Sequence, residues 1–388
     1  MDRDDILLMG HGGAGNKITD MIMRVNPLFE GFFVNSSKTD MKNLKKFNSK
    51  TKNYICTSLN NGTGRDRETG KIFAQDKLAL MVKTILEYDQ STIFIIFSLG
   101  GGSGSSSASI LLRAIDNLKN DGQFNKTVNI IGILPDLNSP SIILKNARET
   151  WNEIMTYKCI NNMLFIDNNN MINGRTLKED EINKNFAILF DKIFSIPDVN
   201  GTKFDNGNLG NIINSHGYSF IYDLPSGCEN IDQAIEMADK NSILAKIYTA
   251  DKEMIKIDDK GNKKIRCGYL GISINDKNYK IEDFLRKYEF NEENYYGYNE
   301  DDNLLILTGL LPPYLSIQLI NEELTDRLKK SNKKDTDFEK FTTPINSDNK
   351  TVISNIKTDI TKGERADEDI SVNKKMKKIM KKNLLDIL

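Results

Sequence analysis

The sequence predicts an α/β fold, in which a parallel sheet covered by helices is joined by a long helix to a smaller α+β part. Two observations lead to this prediction. Short apolar runs at residues 6–9, 31–35, 92–98 and 128–134 alternate with segments of helical spacing, as in a parallel sheet with helical crossovers. The run TIFIIFS at residues 92–98 is continuously β-branched and aromatic, which is typical of a strand buried on both faces.

Weaker patterns complete the prediction. Further strands of the first sheet are expected at residues 54–58 and 162–167, with helices at 71–88 and 108–119. In the second half, strands are expected near residues 218–224, 245–250, 268–275 and 304–308, and a helix at 231–240.

The chain divides into five predicted parts. They are a first domain at residues 1–178, a connecting core helix at 179–199, a second domain at 200–313, a C-terminal helix at 314–331, and a polar segment with a basic amphipathic tail at 332–388. The polar segment is poor in apolar residues, so we expect it to be flexible.

Composition excludes several classes of protein. Of the 388 residues, 39% are hydrophobic and 28% charged, and the net charge is −1, so overall charge identifies no partner. The four cysteines form no CxxC pair, which disfavours a zinc site or a disulfide framework. The N-terminus does not resemble a signal peptide, and no apolar run approaches a membrane span. We therefore expect a cytoplasmic protein.

Two glycine-rich loops dominate the first half. The sequence GHGGAG at residues 10–15 fits GxGxxG between a strand and a helix, where backbone N–H groups and the helix dipole favour phosphate. A dinucleotide-binding dehydrogenase shares this motif but requires an acidic residue at the end of the second strand. Asn35 stands there instead, which disfavours an NAD-type oxidoreductase.

The second loop, GGGSGS at residues 100–105, follows the buried strand and precedes a helix. A flexible linker would not stand between a core strand and an amphipathic helix, so we interpret this loop as a second anion cradle. Two such loops on one sheet predict a nucleoside di- or triphosphate held from both sides. The chain has no GxxxxGK[ST], which disfavours a Walker-type NTPase.

These motifs resemble the tubulin/FtsZ family. GGGSGSS at residues 100–106 is similar to the family's signature loop, GHGGAGN at 10–16 to its first nucleotide loop, and GTGRDRETG at 62–70 to the loop that senses the γ-phosphate. Arg65 and Arg67 depart from the family pattern and are expected to add positive charge near phosphate. ENIDQA at residues 229–234 resembles the start of a helix in the family's second domain.

The resemblance implies a binding site for GTP or GDP, with Mg²⁺ held through the nucleotide and no metal ligand from the protein. It places Asn35 near the ribose, Asn168 on the guanine, and Phe186 stacked on the base, although Phe186 alone is equally consistent with a core aromatic. At the family's second guanine-reading position this chain has Phe190, and we expect Asp191, one position out of register, to substitute for it. The expected nucleotide-binding residues are Gly12, Gly13, Gly15, Asn16, Asn35, Gly62, Thr63, Gly64, Glu68, Gly100, Gly101, Gly102, Ser103, Gly104, Ser105, Asn168, Phe186 and Asp191. Gly104→Val is expected to abolish binding while leaving the fold largely intact.

The resemblance also implies that catalysis needs a second subunit. In the family, an NxDxxD loop on the opposite face enters the next subunit's pocket and positions the attacking water. Asp205 matches the first aspartate, Asn208 replaces the second, and Lys203 replaces the asparagine. We expect Asp205 to be the main catalytic residue and Asn208 a weaker helper. A plain solvated loop remains an alternative.

The tail distinguishes among relatives. Six lysines alternate with apolar residues at helical spacing in residues 372–388, which predicts a basic amphipathic helix. A basic tail of this kind resembles that of the TubZ group, which segregates plasmid or phage DNA through a DNA-bound adaptor. Binding to an anionic membrane and a merely solvated tail are the alternatives.

The sequence therefore predicts a cytomotive GTPase that forms head-to-tail filaments and moves DNA. A nucleotide-binding scaffold with weak hydrolysis and an FtsZ-like division protein are the nearer alternatives, and an NAD-type oxidoreductase is the distant one.

Overall fold

Fifteen strands are present in the part of the chain that the structure describes. This computed structural model describes residues 1–58, 62–172, 174–196, 204–249, 251, 253–257, 261–298 and 302–331. The strands are β1 Ile6–His11, β2 Glu30–Asn35, β3 Tyr54–Cys56, β4 Thr92–Ser98, β5 Thr127–Leu134, β6 Ile160–Asp167, β7 Met171–Ile172, β8 Arg175–Thr176, β9 Gly217–Asp223, β10 Ile255–Ile257, β11 Lys263–Cys267, β12 Leu270–Ile274, β13 Tyr288–Phe290, β14 Asn294–Tyr298 and β15 Leu304–Leu310.

Eleven α-helices accompany the strands in the described residues. They are α1 Gly12–Val25, α2 Lys38–Lys42, α3 Arg67–Asp76, α4 Leu78–Glu87, α5 Ser103–Asn120, α6 Ser141–Ile154, α7 Glu179–Ser195, α8 Asn206–Ile213, α9 Ile231–Lys240, α10 Ile281–Lys287 and α11 Tyr314–Ser331.

One large sheet organises the molecule. Its ten strands lie in the order β14-β12-β15-β9-β6-β5-β4-β1-β2-β3, and the six strands from β3 to β6 are mutually parallel. β1 is buried along its whole length and β4 along nearly all of it, because helices cover both faces. The predicted parallel-sheet α/β fold is confirmed. Parallel strands bring their carboxyl ends to one edge of the sheet, where α/β proteins bind ligands.

Several local predictions differ from the structure. The serines after the second glycine loop already belong to α5, which begins at Ser103. The helix predicted at residues 71–88 is two helices, α3 and α4, which meet at Lys77. Residues 245–249 form no strand, although Leu244 makes an isolated bridge with Ile166; residue 250 lies outside the described residues.

The second half continues the same sheet. β9 runs parallel to β6, whereas β15 pairs antiparallel with both β9 and β12. A separate small sheet, β10-β11-β13, completes this half. Since one sheet passes through both halves, the five-part division of the chain stays a prediction.

Two helices connect the halves of the molecule. α7 packs beside α1, where Lys17 pairs with Glu179 at 3.0 Å, and buries a row of phenylalanines in the core. α11 returns from the second half to lie against α6. In the described residues, no helix is long and apolar enough to cross a membrane.

Candidate nucleotide-binding site

The two glycine loops touch each other. They follow β1 and β4, which are adjacent parallel strands. Gly12 has φ +69°, and a Cβ atom there would lie 2.7 Å from N and Cα of Gly104; a Cβ at Gly104 would lie 2.5 Å from the carbonyl oxygen of His11. Only glycines allow so close an approach. The N-termini of α1 and α5 therefore meet at one point, where their dipoles favour an anion.

This contact also corrects the expectation for Gly104→Val. A side chain at Gly104 would collide with the backbone of the first loop rather than fill the place of a phosphate. The substitution would force the two loops apart, so it cannot leave the fold unaffected.

A cavity of about 390 Å³ opens above the paired loops. Four stretches of chain form most of its walls: the β1–α1 turn, the end of β2, the loop before α3, and the β4–α5 turn. Asp40 of α2 and Ile143 of α6 complete them. Its lining residues are His11, Gly12, Gly13, Ala14, Asn35, Ser36, Asp40, Gly62, Thr63, Gly64, Arg65, Ser98, Gly100, Gly101, Gly102, Ser103, Gly104 and Ile143. The sequence-predicted residues Gly12, Gly13, Asn35, Gly62, Thr63, Gly64 and Gly100 to Gly104 are thus brought together.

Three hydroxyl groups converge at the junction of these walls. The Oγ atom of Ser103 lies 2.6 Å from Oγ of Ser36 and 3.1 Å from Oγ1 of Thr63. The carboxylate-bearing residue Asp40 lines the same cavity. The hydroxyl groups can donate hydrogen bonds to a phosphate, and oxygen atoms are the ligands that Mg²⁺ prefers.

Two buried polar atoms beside the cavity have no protein partner in the described structure. They are Nδ2 of Asn35 and Nε2 of His11. Oδ1 of Asn35 accepts a hydrogen bond from the Ser36 N–H, and Nδ1 of His11 lies 2.9 Å from Oγ of Ser107. Burial lowers the pKa of His11 to about 3, so its ring is neutral. A ligand, ion or water bound in the cavity could satisfy these two atoms.

The two arginines of the third loop have different surroundings. Arg65 is exposed, lines the cavity, and adopts φ +72°. Arg67 is buried, and its guanidinium binds Glu153 at 2.7 Å and Glu149 at 3.3 Å. The expectation of positive charge near phosphate therefore holds for Arg65 as a lining residue and is wrong for Arg67, whose charge is already paired.

Ser105 and Glu68 do not line the cavity. Oγ of Ser105 donates to the carbonyl oxygen of Gly101 and accepts from Nε of Arg67, so it ties the glycine loop to α3. Glu68 is exposed and pairs with Lys71 at 3.2 Å. Both were predicted nucleotide contacts, and the structure gives them other partners.

Gly15 and Asn16 pack α1 rather than line the cavity. A Cβ atom at Gly15 would collide with the carbonyl oxygen of Ile96 in β4, so this glycine allows the helix to lie close to the sheet. Nδ2 of Asn16 donates to the Val34 carbonyl oxygen at 3.2 Å and thereby joins α1 to β2. Their predicted role as direct nucleotide contacts is corrected to one of support.

The predicted base-binding residues are separated. Asn168 is half-buried in the turn that follows β6. Phe186 has no exposed surface, and its ring stacks on Phe190 with 5.9 Å between centroids. Phe186 is therefore a core aromatic, and the predicted stacking on the base is wrong for this structure.

Asp191 is also wrongly placed by the sequence prediction. Its Oδ1 atom accepts hydrogen bonds from Nε of Arg3 at 2.6 Å and from Nδ2 of Asn26 at 3.0 Å. Arg3 precedes β1 and Asn26 follows α1, so both lie at the end of the sheet away from the cavity. Twelve residues of helix, about 18 Å, separate Asp191 from the start of α7.

Asp205 lies at the same distant end. Its Oδ1 accepts from the Asn208 N–H at 2.8 Å and so caps the N-terminus of α8. The next residue, Asn206, contacts Asp2 and the terminal amino group. The last carbonyls of α8 accept from Asn129 and Asn162, which stand early in β5 and β6. Lys203, the first position of the predicted loop, lies outside the described residues.

Motif reasoning missed part of the cavity wall. The missed lining residues are His11, Ala14, Ser36, Asp40, Ser98 and Ile143. His11, Ala14 and Ser36 are adjacent in sequence to predicted residues, so the sequence alone could have identified them as part of the cavity wall. No sequence pattern indicated Ile143, because this residue reaches the cavity through the packing of α6, where it contacts Gly100.

Comparison with known proteins agrees with this geometry. Residues 5–175 match the family described as Tubulin/FtsZ family, GTPase domain. The chain is 24% identical over 385 residues to the tubulin-like protein TubZ of a Clostridium botulinum C phage, covering 97% of this chain and 100% of that protein.

Solved structures show the same fold. The tail-truncated TubZ of Clostridium botulinum phage c-st has a TM-score of 0.73 at 22% identity, covering 84% of this chain and 99% of that one. A GTPγS-form protofilament of TubZ from Bacillus thuringiensis serovar israelensis has a TM-score of 0.63 at 15% identity, covering 84% and 93%. This chain therefore has the tubulin/FtsZ-like fold, and its residues 5–175 are similar to the GTPase domain of the Tubulin/FtsZ family.

Proposed function

We propose that this protein binds GTP with Mg²⁺, assembles head to tail, and hydrolyses GTP when the Asp205 region of one subunit completes the cavity of the next. One observation carries the proposal: the cavity and Asp205 stand at opposite ends of the sheet. The five residue steps of β1 from Ile6 to His11 alone span about 17 Å. Asp205 therefore cannot reach the cavity of its own chain.

A head-to-tail contact would remove this separation. It would bring the amino-end face, with Asp205 and Asn208, against the carboxyl-end face of a neighbour, where the cavity opens. Phosphoryl transfer to water needs an oriented nucleophile and charge stabilisation more than covalent help. The cavity offers backbone N–H groups and hydroxyls for the phosphates, and Asp205 would position the water. Asn208 can hydrogen-bond that water without the charge of a carboxylate.

The preference for guanine rests on the family match. Asn168 is the one predicted base contact that remains near the carboxyl end of the sheet, since Phe186 and Asp191 are committed elsewhere. We propose GTP and GDP as the nucleotides, with Asn168 at the base and Asn35 near the ribose. The orphaned Nδ2 of Asn35 supports a ligand beside that residue.

The cellular role proposed is segregation of plasmid or phage DNA. It is supported by similarity along the whole chain to a phage TubZ and by the basic tail, at residues 372–388, which lies outside the described residues. A filament would move DNA through an adaptor protein bound to a centromere-like site and to the tail. This role requires a cytoplasmic protein and no membrane partner.

Mixing two defective variants tests assembly-dependent hydrolysis. One variant is damaged in the cavity and the other is Asp205→Asn. Each alone should hydrolyse GTP slowly, whereas a mixture should recover activity, because a cavity from one and an acid from the other form an intact site. Phosphate release that rises linearly with concentration for the wild type, with no rescue in the mixture, would refute catalysis in trans.

A separate experiment tests the tail. Protein lacking residues 372–388 should polymerise and hydrolyse GTP but fail to co-sediment with a centromere–adaptor complex. Binding by the full chain should weaken steeply with salt, as expected for lysine contacts. Equal recovery of the complex by both forms would refute the coupling role.

A weakly hydrolysing filament scaffold is the second candidate. It is favoured by one residue, Asn208, which supplies no negative charge where the family pattern has an acid. Filaments that form with GTP and persist without measurable phosphate release would support this candidate.

A further inference from the structure

The last described helix packs against the wall of the cavity. α11 runs antiparallel to α6. At its start, the ring of Tyr314 lies 6.1 Å from Trp151 near the end of α6. Near its end, Arg327 reaches the segment that precedes α6. The helix therefore finishes at the same edge of the sheet as the cavity, and the tail segment 332–388 follows directly.

Arg327 holds the loop between β5 and α6. Its two terminal nitrogens donate to the carbonyl oxygens of Leu137 and Ser139, each at 2.6 Å. Its Nε donates to Glu323 on the same helix at 2.6 Å. This bidentate grip uses the planar fork that only arginine provides, and each charge-assisted bond is stronger than a neutral one.

A second contact holds the neighbouring loop. Oγ of Ser316, in the first turn of α11, donates to Oδ2 of the buried Asp167 at 2.8 Å. The other carboxylate oxygen accepts from Asn169, whose amide group in turn binds the Leu137 N–H and the Pro135 carbonyl. Both loops are therefore joined to each other and to α11 through one hydrogen-bond network.

The network reaches the cavity within four residues. The carbonyl oxygen of Pro140, next to Ser139, accepts from the Ile143 N–H at 2.8 Å. Ile143 lines the cavity and contacts Gly100 of the second glycine loop. Asn168, the proposed base contact, stands between Asp167 and Asn169. A shift of either loop would thus change the walls that face a nucleotide.

We propose that Arg327 and Ser316 are positioning residues for the nucleotide, and that docking of α11 and retention of the nucleotide stabilise each other. The inference rests on the proposed function only in that the cavity must hold a nucleotide. Coupling between two events is reciprocal: whatever factor α11 docking adds to nucleotide affinity, the nucleotide adds to α11 docking. A partner that pulls on the tail would therefore speed nucleotide release.

Dissociation of a fluorescent GDP analogue from the full-length protein tests the first half. Arg327→Met should raise the off-rate roughly tenfold, within the usual range for coupled sites, and Ser316→Ala should raise it less. Lys329→Met is the matched control, because Lys329 is exposed on the same helix and pairs only loosely with Asp326, at 3.9 Å. Arg327→Lys should give an off-rate between those of the wild type and Arg327→Met, since lysine keeps the charge but lacks the planar fork of arginine.

Hydrogen exchange tests the reciprocal effect, in which the nucleotide stabilises the docking of α11. A merely structural role of Arg327 would not produce this effect. Adding GDP should slow exchange of the α11 amides in the wild type and in Lys329→Met, but much less in Arg327→Met. Off-rates in Arg327→Met and Ser316→Ala equal to the wild type would overturn the inference, as would α11 protection that is insensitive to GDP. Failure of the wild type to bind any guanine nucleotide would instead refute the proposed function.

Discussion

The two ends of the sheet differ in how complete they are. At the carboxyl end, several stretches of one chain build a cavity whose glycine backbones already touch and whose polar atoms already converge. At the amino end, Asp205 is exposed and spends its carboxylate on capping its own helix. The cavity is thus preorganised within a single chain, whereas the proposed chemistry needs a group that only a neighbour can bring.

The two ends also differ in what a substitution can damage. The cavity is made largely of backbone, so its weak points are glycines, where any side chain intrudes. The Asp205 end is made of side chains on a helix terminus, so conservative changes there can remove charge without moving the chain. Predictions that separate binding from hydrolysis follow from this difference.

Gly13→Val should have the largest effect. Gly13 lines the cavity, and a Cβ atom there meets nothing within 4 Å in the part of the chain that the structure describes, so the side chain would fill ligand space. Losing two charge-assisted hydrogen bonds to phosphate, at about 1.5–3 kcal/mol each, would weaken GTP binding by more than about 100-fold. Equilibrium titration with a fluorescent GTP analogue would measure this, with circular dichroism to verify the fold.

Gly104→Val is the matched comparison. Its side chain would strike the His11 carbonyl oxygen, so we expect a lower melting temperature as well as lost binding, with a cost of about 1–3 kcal/mol for overpacking. A lower melting temperature for Gly13→Val than for Gly104→Val would contradict the view that Gly13 faces open space and Gly104 packs against backbone.

Asp205→Asn should have the next largest effect, and only on hydrolysis. Asparagine caps a helix as well as aspartate does, so α8 should keep its start while the charge is lost. Removing a group that orients the attacking water costs about 100-fold or more in rate. Phosphate release per polymerised subunit should therefore fall while GTP affinity and pelleting stay the same.

Asp205→Ala serves as the control for the cap. It should slow hydrolysis similarly and also lose about 1 kcal/mol of stability, since alanine cannot accept the Asn208 N–H. Normal phosphate release by Asp205→Asn, with slow release by Asp205→Ala, would mean that the cap matters and the charge does not.

The sequence predicted the two ends unequally well. The strand runs and glycine spacings located the cavity, because the motif itself encodes the local backbone geometry of such loops. The base side failed because helix α7 buries Phe186 in the core, where its ring stacks on Phe190. The same helix places Asp191 beside Arg3, which is distant in sequence and lies at the far end of the sheet. No residue near Asp191 in the sequence indicates that Asp191 pairs with Arg3. Ile143 and Arg327 were missed for the same reason: both depend on how α6 and α11 pack.

Acid sensitivity should come partly from His11 in the cavity. Burial lowers its pKa to about 3, below the 6.5 of an unfolded chain. Between these values the unfolded state binds a proton that the folded state does not, so stability falls as pH decreases. At pH 5 this cost is about 2 kcal/mol.

His11→Gln should remove this component of the pH dependence. Glutamine cannot titrate and can still hydrogen-bond Ser107. Urea unfolding of nucleotide-free protein at pH 7.5 and pH 5 would measure the loss in each form, and acidic groups common to both cancel in the difference. The same loss of stability in both proteins would show that His11 is not the group responsible.

Asn208→Asp should have the smallest effect and the opposite sign. Asn208 is the third residue of α8, where a carboxylate gains about 0.3–1 kcal/mol from the helix dipole, although its charge would stand close to that of Asp205. If this face enters the neighbour's cavity, a second acid would help to hold the water, and phosphate release per polymerised subunit should rise by up to about tenfold. Asn208→Ala should lower it modestly.

The decisive comparison is the double variant Asp205→Asn with Asn208→Asp, which keeps one acid but moves it three residues along the chain, from the N-cap of α8 to its third residue. Partial recovery relative to Asp205→Asn would mean that the face as a whole approaches the γ-phosphate. A rate no higher than that of Asp205→Asn alone would mean that only the side chain of Asp205 takes part in hydrolysis. The amino end of the sheet would then contribute one carboxylate to the site rather than a face.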